Sequence, residues 1–179
     1  AGSLTRRLSR QVGREGQVFG FDISGSFVSA VRSVGLPNTV VEVSPPESLS
    51  VAYDSMQAVV SIATVHHIQQ KGGFFQEIGR ILNGNGKALI VDVVAGTPTQ
   101  RFFDYGVEDF SSSGNEYPFM DLEKVERWAA RGSLEVGRFT IEAVPWQFRT
   151  VREAKEFMCV MFDSSWSVDR TWGRVTELL

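Results

Sequence analysis

The sequence has few of the features that mark secreted, membrane and nucleic-acid-binding proteins. It has a single cysteine, Cys159, so no internal disulfide can form, which is typical of a reducing cytoplasm. Its longest apolar stretch, residues 58–65, is far shorter than the roughly 20 residues of a membrane-spanning helix, and no signal-peptide pattern opens the chain. The net charge of −3 argues against nucleic-acid binding driven by overall charge. We therefore expect a cytoplasmic protein that binds neither membranes nor nucleic acids.

The length and the order of predicted elements indicate one α/β domain. The chain has 179 residues, the size of a single domain. Hydrophobic periodicity predicts strands at 17–22, 39–43, 58–63 and 87–94, helices at 4–12, 25–34 and 74–82, and a turn at 83–86. Such βα alternation predicts a doubly wound, mostly parallel sheet with right-handed crossovers and helices on both faces, a three-layer αβα architecture.

The composition changes after residue 96. Residues 97–120 are rich in aromatic and turn-forming residues, and beyond them the pattern predicts helices at 121–131, 151–162 and 168–179 and a strand at 134–144. We expect one domain, 1–179, made of a cofactor-binding half (1–96) and a substrate-binding or lid half (97–179). The aromatic residues between Phe102 and Phe119 fit two roles equally, a lid over an apolar substrate or a cover for the sheet edge.

The carboxyl ends of the predicted strands are where a ligand would bind, because ligands of doubly wound sheets lie outside these ends. Asp22 ends the first predicted strand, where its carboxylate can accept hydrogen bonds from both hydroxyls of a ribose. Gly2 lies upstream by about 20 positions, the usual spacing between a glycine turn and the acid that holds the ribose. The pattern fits a nucleotide cofactor and also an ordinary turn with a capping carboxylate.

Three segments within residues 1–94 carry motifs that occur in the same order in one family. Val18-Phe-Gly-Phe-Asp22-Ile-Ser24 resembles its second strand, and Ser61-Ile-Ala-Thr-Val-His66-His67-Ile68 resembles the end of its fourth. Glu77-Ile-Gly-Arg80-Ile-Leu82-Asn-Gly-Asn-Gly86-Lys87 resembles the helix and turn before its fifth strand. The chain therefore resembles the class I S-adenosylmethionine-dependent methyltransferases. The resemblance implies a Rossmann-like fold, S-adenosylmethionine as cofactor and methyl transfer to a small-molecule acceptor.

The resemblance also implies the residues that bind the cofactor. Gly2 would be the last glycine of the loop under the methionine portion, Asp22 would bind the ribose, and Ile23 would pack on the adenine. Pro45 and Pro46 would lie beside the adenine. The backbone of Ala63 would contact the methionine end of the cofactor.

The two histidines, His66 and His67, follow the third predicted strand. Adjacent residues that leave a strand point to opposite sides and chelate one ion poorly, so we expect no metal site. His66 is the candidate catalytic base, because an imidazole exchanges protons near neutral pH. A structural histidine at the strand end is the alternative.

The sequence departs from the family pattern in several places. The family's first strand and most of its glycine-rich loop would precede residue 1, and its last strand would follow Leu179. Pro45 stands in place of the aspartate after the third strand, and Gln57 in place of the one that often begins the fourth. Because a missing central strand leaves backbone groups unpaired, we expect a fragment of a longer protein, a rearranged sheet, or a homo- or hetero-oligomer that completes the sheet.

Two other functions stay open. The missing loop, together with Pro45 and Gln57, fits a catalytically silent methyltransferase-like interaction subunit. A glycine and an aspartate at this spacing also fit a nicotinamide-dependent reductase, although the sequence has no Tyr-x-x-x-Lys pair for hydride transfer. The residues do not identify the methyl acceptor.

Overall fold

The first half of the chain alternates helices and strands in the computed structural model, which describes residues 2–111 and 118–178. In chain order, the elements are α1 (Ser3–Val12), β1 (Val18–Asp22), α2 (Gly25–Arg32), β2 (Thr39–Val43), β3 (Met56–Ile62), a 3₁₀ turn (Val65–His67), α3 (Lys71–Ile81) and β4 (Leu82–Val91). Their order matches the predicted βα alternation. The α/β class is confirmed.

The second half is helical. It contains α4 (Pro98–Phe102), a π-helical turn (Phe103–Val107), α5 (Glu108–Phe110), α6 (Leu122–Arg131), α7 (Val151–Met161) and α8 (Val168–Leu178). Side-chain caps determine two of the starts: Asp121 accepts a hydrogen bond from the Lys124 N–H, and Thr150 accepts one from the Glu153 N–H. None of the described helices is both long and apolar enough to cross a membrane.

The strands form two parallel pairs. β1 pairs with β2 from Val18↔Thr39 to Asp22↔Val43, and β3 pairs with β4 up to Ile62↔Val91. Within the described residues no ladder joins β1 to β3. The described strands therefore form two separate ladders.

The strand β4 differs from its prediction at both ends. The predicted turn at 83–86 lies inside it as a bulge, because the pairing steps from Met56↔Leu82 to Ala58↔Lys87. Gly86 fits this bulge because a Cβ there would lie 2.9 Å from the Met56 carbonyl oxygen. At its other end β4 stops at Val91, so the next residue leaves the sheet.

The predicted strand at 134–144 is wrong. The segment is irregular and has no strand partner among the described residues. Leu134, Val136 and Phe139 instead pack against the core from this irregular backbone, while Ile141 and Val144 are 66% and 75% exposed. The apolar residues of this segment therefore reflect packing on the core without backbone pairing.

The main core lies between the β3–β4 pair and helices α3 and α6. Its buried members are Val65, Ile68, Phe74, Phe75, Ile78, Leu82, Met120, Val125 and Ala129. Gly79 of α3 lies directly against Gly132 at the end of α6, where a Cβ would overlap the Gly132 carbonyl group. A second core in the C-terminal half contains Phe110, Met158, Phe162 and Val175, and a small third one joins α2 to β2.

Candidate functional site

A histidine–aspartate pair lies at the carboxyl ends of β3 and β4. His66 is in the 3₁₀ turn after β3, and Asp92 is the first residue after β4. His66 Nδ1 and Asp92 Oδ1 are 2.7 Å apart, and the Asp92 side chain is only 1% exposed. Because an ionised carboxylate can only accept hydrogen bonds, Nδ1 donates to it, and the lone pair of the neutral ring lies on Nε2. His66 can therefore accept a proton at Nε2.

Backbone N–H groups hold the Asp92 carboxylate in place. Oδ2 accepts hydrogen bonds from the N–H of Val65 at 2.7 Å and of His66 at 3.4 Å, and Oδ1 accepts one from the N–H of Val93 at 2.7 Å. Burial raises the pKa of the Asp92 carboxyl, but the hydrogen bond and charge of His66, with the backbone donors, outweigh burial and keep that pKa below its usual value. Asp92 is therefore an ionised acceptor for the His66 ring.

Aromatic rings and a buried lysine surround the pair. The ring centroids of His66 and His67 are 3.9 Å apart, so the prediction that these two side chains point to opposite sides is wrong. The ring centroids of Phe103 and Phe119 lie 6.1 Å and 6.3 Å from that of His66, whose side chain is 11% exposed. Burial lowers the pKa of the Lys71 ammonium, and the charge of Asp92 offsets part of this effect. The pair is thus sheltered from water, which strengthens its electrostatic interactions.

The aromatic residues between Phe102 and Phe119, predicted as a lid or a cover for the sheet edge, lie partly at the His66 site and partly in the C-terminal core. Phe103 and Phe119 lie against His66, whereas Phe102 and Phe110 pack on Phe162 in the C-terminal core. Residues 112–117 of this segment, which include Tyr117, lie outside the residues that the structure describes.

Three of the predicted nucleoside-binding residues meet at the carboxyl ends of β1 and β2. The Ser44 N–H donates to the Asp22 carbonyl oxygen at 3.1 Å, which brings Pro45 close to the end of β1. The Asp22 carboxylate is exposed, with Oδ1 accepting the Ser24 N–H at 2.8 Å, and the adjacent Ile23 is 72% exposed. An exposed carboxylate beside exposed aliphatic surface fits a nucleoside, whose ribose hydroxyls donate hydrogen bonds and whose base is flat and apolar on its faces.

The other predicted cofactor-binding residues are Pro46, Gly2 and Ala63, and each lies in a different loop. Pro46 follows Pro45 in the loop after β2 and is half-buried. Gly2 precedes α1 with φ of 74°, and a Cβ there would lie 2.8 Å from a methyl group of Val31, so both the backbone and the packing favour glycine. Ala63 also has a positive φ, 53°, and its N–H donates to the carbonyl oxygen of the residue that ends β4. Its carbonyl oxygen is the backbone group that it can offer to a ligand.

The structure therefore brings the predicted residues together in two groups. Asp22, Ile23 and Pro45 lie at the end of the β1–β2 pair, and Ala63 and His66 lie at the end of the β3–β4 pair. The divided sheet supplies no ladder between the two groups in the described part of the chain.

The Glu77-x-x-Arg80 motif holds the loop that carries Pro45 and Pro46. Arg80 Nε and Nη2 donate to the two oxygens of Glu77, each at 2.7 Å. The Leu49 N–H donates to the same carboxylate at 2.6 Å, and the Leu49 carbonyl accepts from Arg80 at 3.0 Å. The hydrogen bond from Arg80 keeps the pKa of Glu77 below its usual value despite partial burial. The motif thus fixes the loop after β2 onto α3.

Two other features bear on where a ligand could bind. In the ranges that the structure describes, no three His, Cys, Asp or Glu side chains are placed to share a metal ion. A shallow cavity of about 310 Å³ lies beside α4 and α8, and Phe102, Tyr105 and Leu178 are among its lining residues. That lining includes neither His66 nor Asp92.

Sequence reasoning missed Asp92 as a functional residue. The predicted strand at 87–94 placed it inside the sheet, whereas β4 ends one residue before it. An available signal was an acidic residue directly after the apolar run Ala88–Val91, the same pattern that identified Asp22 at the end of β1.

A comparison with protein families places this site in context. A family model described as a methyltransferase domain matches residues 1–90, half of the chain. The chain belongs to this methyltransferase domain family. The match confirms the resemblance read from the three motifs, and it contains the strand ends with Asp22 and His66. No curated protein matches the chain.

Solved structures share the fold of this methyltransferase domain at low sequence identity. The YcgJ protein from Bacillus subtilis is 20% identical with a TM-score of 0.55, and the alignment covers 65% of this chain and 51% of that one. A SAM-dependent methyltransferase from Aquifex aeolicus is 18% identical with a TM-score of 0.58, covering 76% and 69%. A chain from a complex of the Haloferax volcanii Trm112 methyltransferase activator with a putative methyltransferase is 17% identical with a TM-score of 0.58. That alignment covers 69% of this chain and 53% of the other. This methyltransferase domain therefore spans about half the length of two of these chains.

Proposed function

We propose that this domain binds S-adenosylmethionine and takes part in methyl transfer to a small-molecule acceptor. The observation that carries the proposal is the exposed Asp22 carboxylate at the end of β1, beside the exposed Ile23, in a chain of the methyltransferase domain family. Ligands of doubly wound sheets bind outside such strand ends. The sheltered His66–Asp92 pair at the carboxyl ends of β3 and β4 supports a reaction site outside the ends of that second strand pair.

Each residue has a role that follows from its position. Asp22 accepts hydrogen bonds from the ribose hydroxyls, and Ile23 and Pro45 contact the adenine. The Ala63 carbonyl oxygen accepts a hydrogen bond from the ammonium group of the methionine end, and His66 faces the acceptor. Bound S-adenosylmethionine supplies an electrophilic methyl group. The protein contributes alignment and a proton acceptor.

Isothermal titration calorimetry with S-adenosylhomocysteine tests the binding. Asp22→Asn changes the proposed ribose acceptor, and Asp169→Asn is the matched control because Asp169 is an exposed carboxylate of α8 whose ion-pair partner is Lys155. We expect the wild type and Asp169→Asn to bind equally and Asp22→Asn to bind about tenfold more weakly, since a charge-assisted hydrogen bond contributes about 1.5 kcal/mol or more. Folding of all three is checked by circular dichroism. A folded wild type that gives no binding heat contradicts the proposal, as does equal affinity for Asp22→Asn.

The divided sheet favours a second candidate function, that of an interaction subunit. In the described chain β1 and β3 each have one ladder partner, so each presents an edge that another strand can pair with. A second copy of this chain is the partner that can be tested directly. Sedimentation velocity over a wide protein concentration range should show reversible association that Asp22→Asn leaves unchanged. A monomer at every concentration rejects this self-association.

A further inference from the structure

We propose that Asp92 is a positioning residue that makes His66 a general base, and that the methyl acceptor is a weakly acidic hydroxyl on an apolar small molecule. This inference rests on the proposed methyl transfer and adds to it the chemistry of the acceptor. Two observations support it: the orientation of the Asp92 carboxylate, from which the tautomer of His66 follows, and the aromatic surroundings of the imidazole.

The Asp92 carboxylate is oriented independently of the imidazole. The N–H groups of Val65 and Val93 each donate to it at 2.7 Å, one to each oxygen. Its orientation is thus fixed by backbone, and the oxygen that faces His66 can only accept. His66 must then carry its proton on Nδ1 to make the 2.7 Å contact, which leaves the lone pair on Nε2. A carboxylate in this position also stabilises the imidazolium that forms when Nε2 takes a proton.

The need for a base indicates the class of acceptor. An acceptor that is already an anion needs no base, whereas a neutral hydroxyl must lose its proton as it reacts. In this step the O–H bond breaks and its proton goes to His66 Nε2. An electron pair of the hydroxyl oxygen forms the new bond to the methyl carbon. The carbon–sulfur bond of the sulfonium donor breaks, and its two electrons stay on the sulfur. The phenyl rings of Phe103 and Phe119 around His66 favour an apolar, aromatic body on the acceptor.

Histidine ¹⁵N NMR tests the tautomer without any ligand. The chain has two histidines, so labelled histidine gives two ring signals, and His67→Gln assigns them. We expect wild-type His66 to be protonated at Nδ1 and unprotonated at Nε2. In Asp92→Asn an amide oxygen at the Oδ2 position keeps both the Val65 and the His66 N–H groups, so the NH₂ faces Nδ1 at the loss of the single Val93 hydrogen bond, and the ring proton should move to Nε2. Glu77→Gln, a control that alters another buried carboxylate, should leave the His66 tautomer unchanged.

The tautomer experiment has two outcomes that overturn the proposal. One is a wild-type His66 that carries its proton on Nε2. The other is an unchanged His66 tautomer in folded Asp92→Asn, because Asp92 would then cap the Val65–His67 turn without controlling the ring.

Kinetics with S-adenosylmethionine and simple phenols as probe acceptors tests the role in the reaction. We expect Asp92→Asn and His66→Gln each to lower kcat about 100-fold, with the KM for S-adenosylmethionine little changed, because general bases contribute roughly 10²–10⁴-fold. Asp169→Asn should keep wild-type kcat. If Asp92 acts through His66, the double variant should lose no more activity than either single variant.

The outcomes separate this inference from the proposed function. Losses that multiply in the double variant show that Asp92 does not act through His66, and they overturn the positioning role. A protein that binds S-adenosylhomocysteine but methylates none of the phenols overturns the acceptor class. A protein that fails to bind S-adenosylhomocysteine overturns the proposed function, while the NMR result on Asp92 still stands.

Discussion

Replacing Glu77 with glutamine should destabilise the fold by releasing the loop after β2. Glu77 is a buried residue of α3 whose carboxylate accepts two hydrogen bonds from Arg80 and one from the Leu49 N–H. Glutamine has the same shape, but only one of its two terminal atoms can accept. Glu77→Gln therefore turns an NH₂ group either toward Arg80 Nε or toward both Arg80 Nη2 and the Leu49 N–H, so at least one charge-assisted bond is lost in each orientation.

The size of the effect follows from these contacts. A hydrogen bond to a charged group contributes about 1.5–3 kcal/mol, and a buried group left facing a like group adds to the loss. The Arg80 side chain is 35% exposed, so water restores part of its bonding. We expect Glu77→Gln to lower the free energy of unfolding by about 2 kcal/mol. For a domain of this size that corresponds to a decrease in Tm of about 4–8 °C.

The loss should depend on pH in a direction that the pKa of Glu77 determines. Its pKa in the folded protein lies below the unfolded value because of the hydrogen bond from Arg80. The stabilisation by Glu77 is therefore fully present above the unfolded pKa and disappears as pH falls through the folded pKa. The difference between wild type and Glu77→Gln should be largest near neutral pH and shrink in acid.

Urea denaturation followed by the fluorescence of the four tryptophans measures this difference. Glu123→Gln is the matched control, because Glu123 is 82% exposed and pairs with Arg127 at 3.5 Å on the surface of α6. The control should change the free energy of unfolding by less than about 0.5 kcal/mol. A Glu77→Gln variant as stable as the control, or a difference that does not decrease in acid, would refute the reasoning.

Three further substitutions have expected outcomes. Gly79→Ala should lower the free energy of unfolding measured in urea by about 1–3 kcal/mol or more, because its methyl group would overlap the backbone of Gly132. An unchanged free energy of unfolding would mean that α3 and α6 can move apart at this point. Phe162→Ala should cost about 3–5 kcal/mol and reduce the near-ultraviolet circular dichroism, since the ring is buried in the C-terminal core; an unchanged spectrum argues against that core. Asp92→Asn should cost about 1–3 kcal/mol and speed hydrogen exchange at the Val93 amide, whose acceptor becomes an NH₂ group, whereas unchanged exchange contradicts the observed hydrogen bond.

Local sequence signals predicted most elements of the fold. The apolar run that ends at Asp22 and the capping Ser24 place the end of β1 and the start of α2, and the structure shows that cap. The helices predicted at 121–131 and 151–162 are also present, and the structure shows caps at Asp121 and Thr150. These features are local, because a cap or a periodic stripe involves residues within a few positions of each other.

The features that were missed depend on contacts between distant segments. His66 and Asp92 are 26 residues apart, and only the parallel pairing of β3 with β4 brings them together. The bulge in β4 depends on which residues of β3 lie opposite it, and hydrophobic periodicity carries no such information. Leu134 and Phe139 show the converse case, in which a strand-like pattern arises from packing on a core without a pairing partner.

The most direct test of the account is where S-adenosylhomocysteine lies on this domain. Isotope-edited NMR on protein with labelled methyl groups measures intermolecular nuclear Overhauser effects between bound ligand and side chains. We predict contacts between the adenine protons and the methyl groups of Ile23, next to Asp22 at the end of β1. Contacts to Leu178 beside the cavity of α4 and α8, with none to Ile23, would contradict the proposed cofactor site.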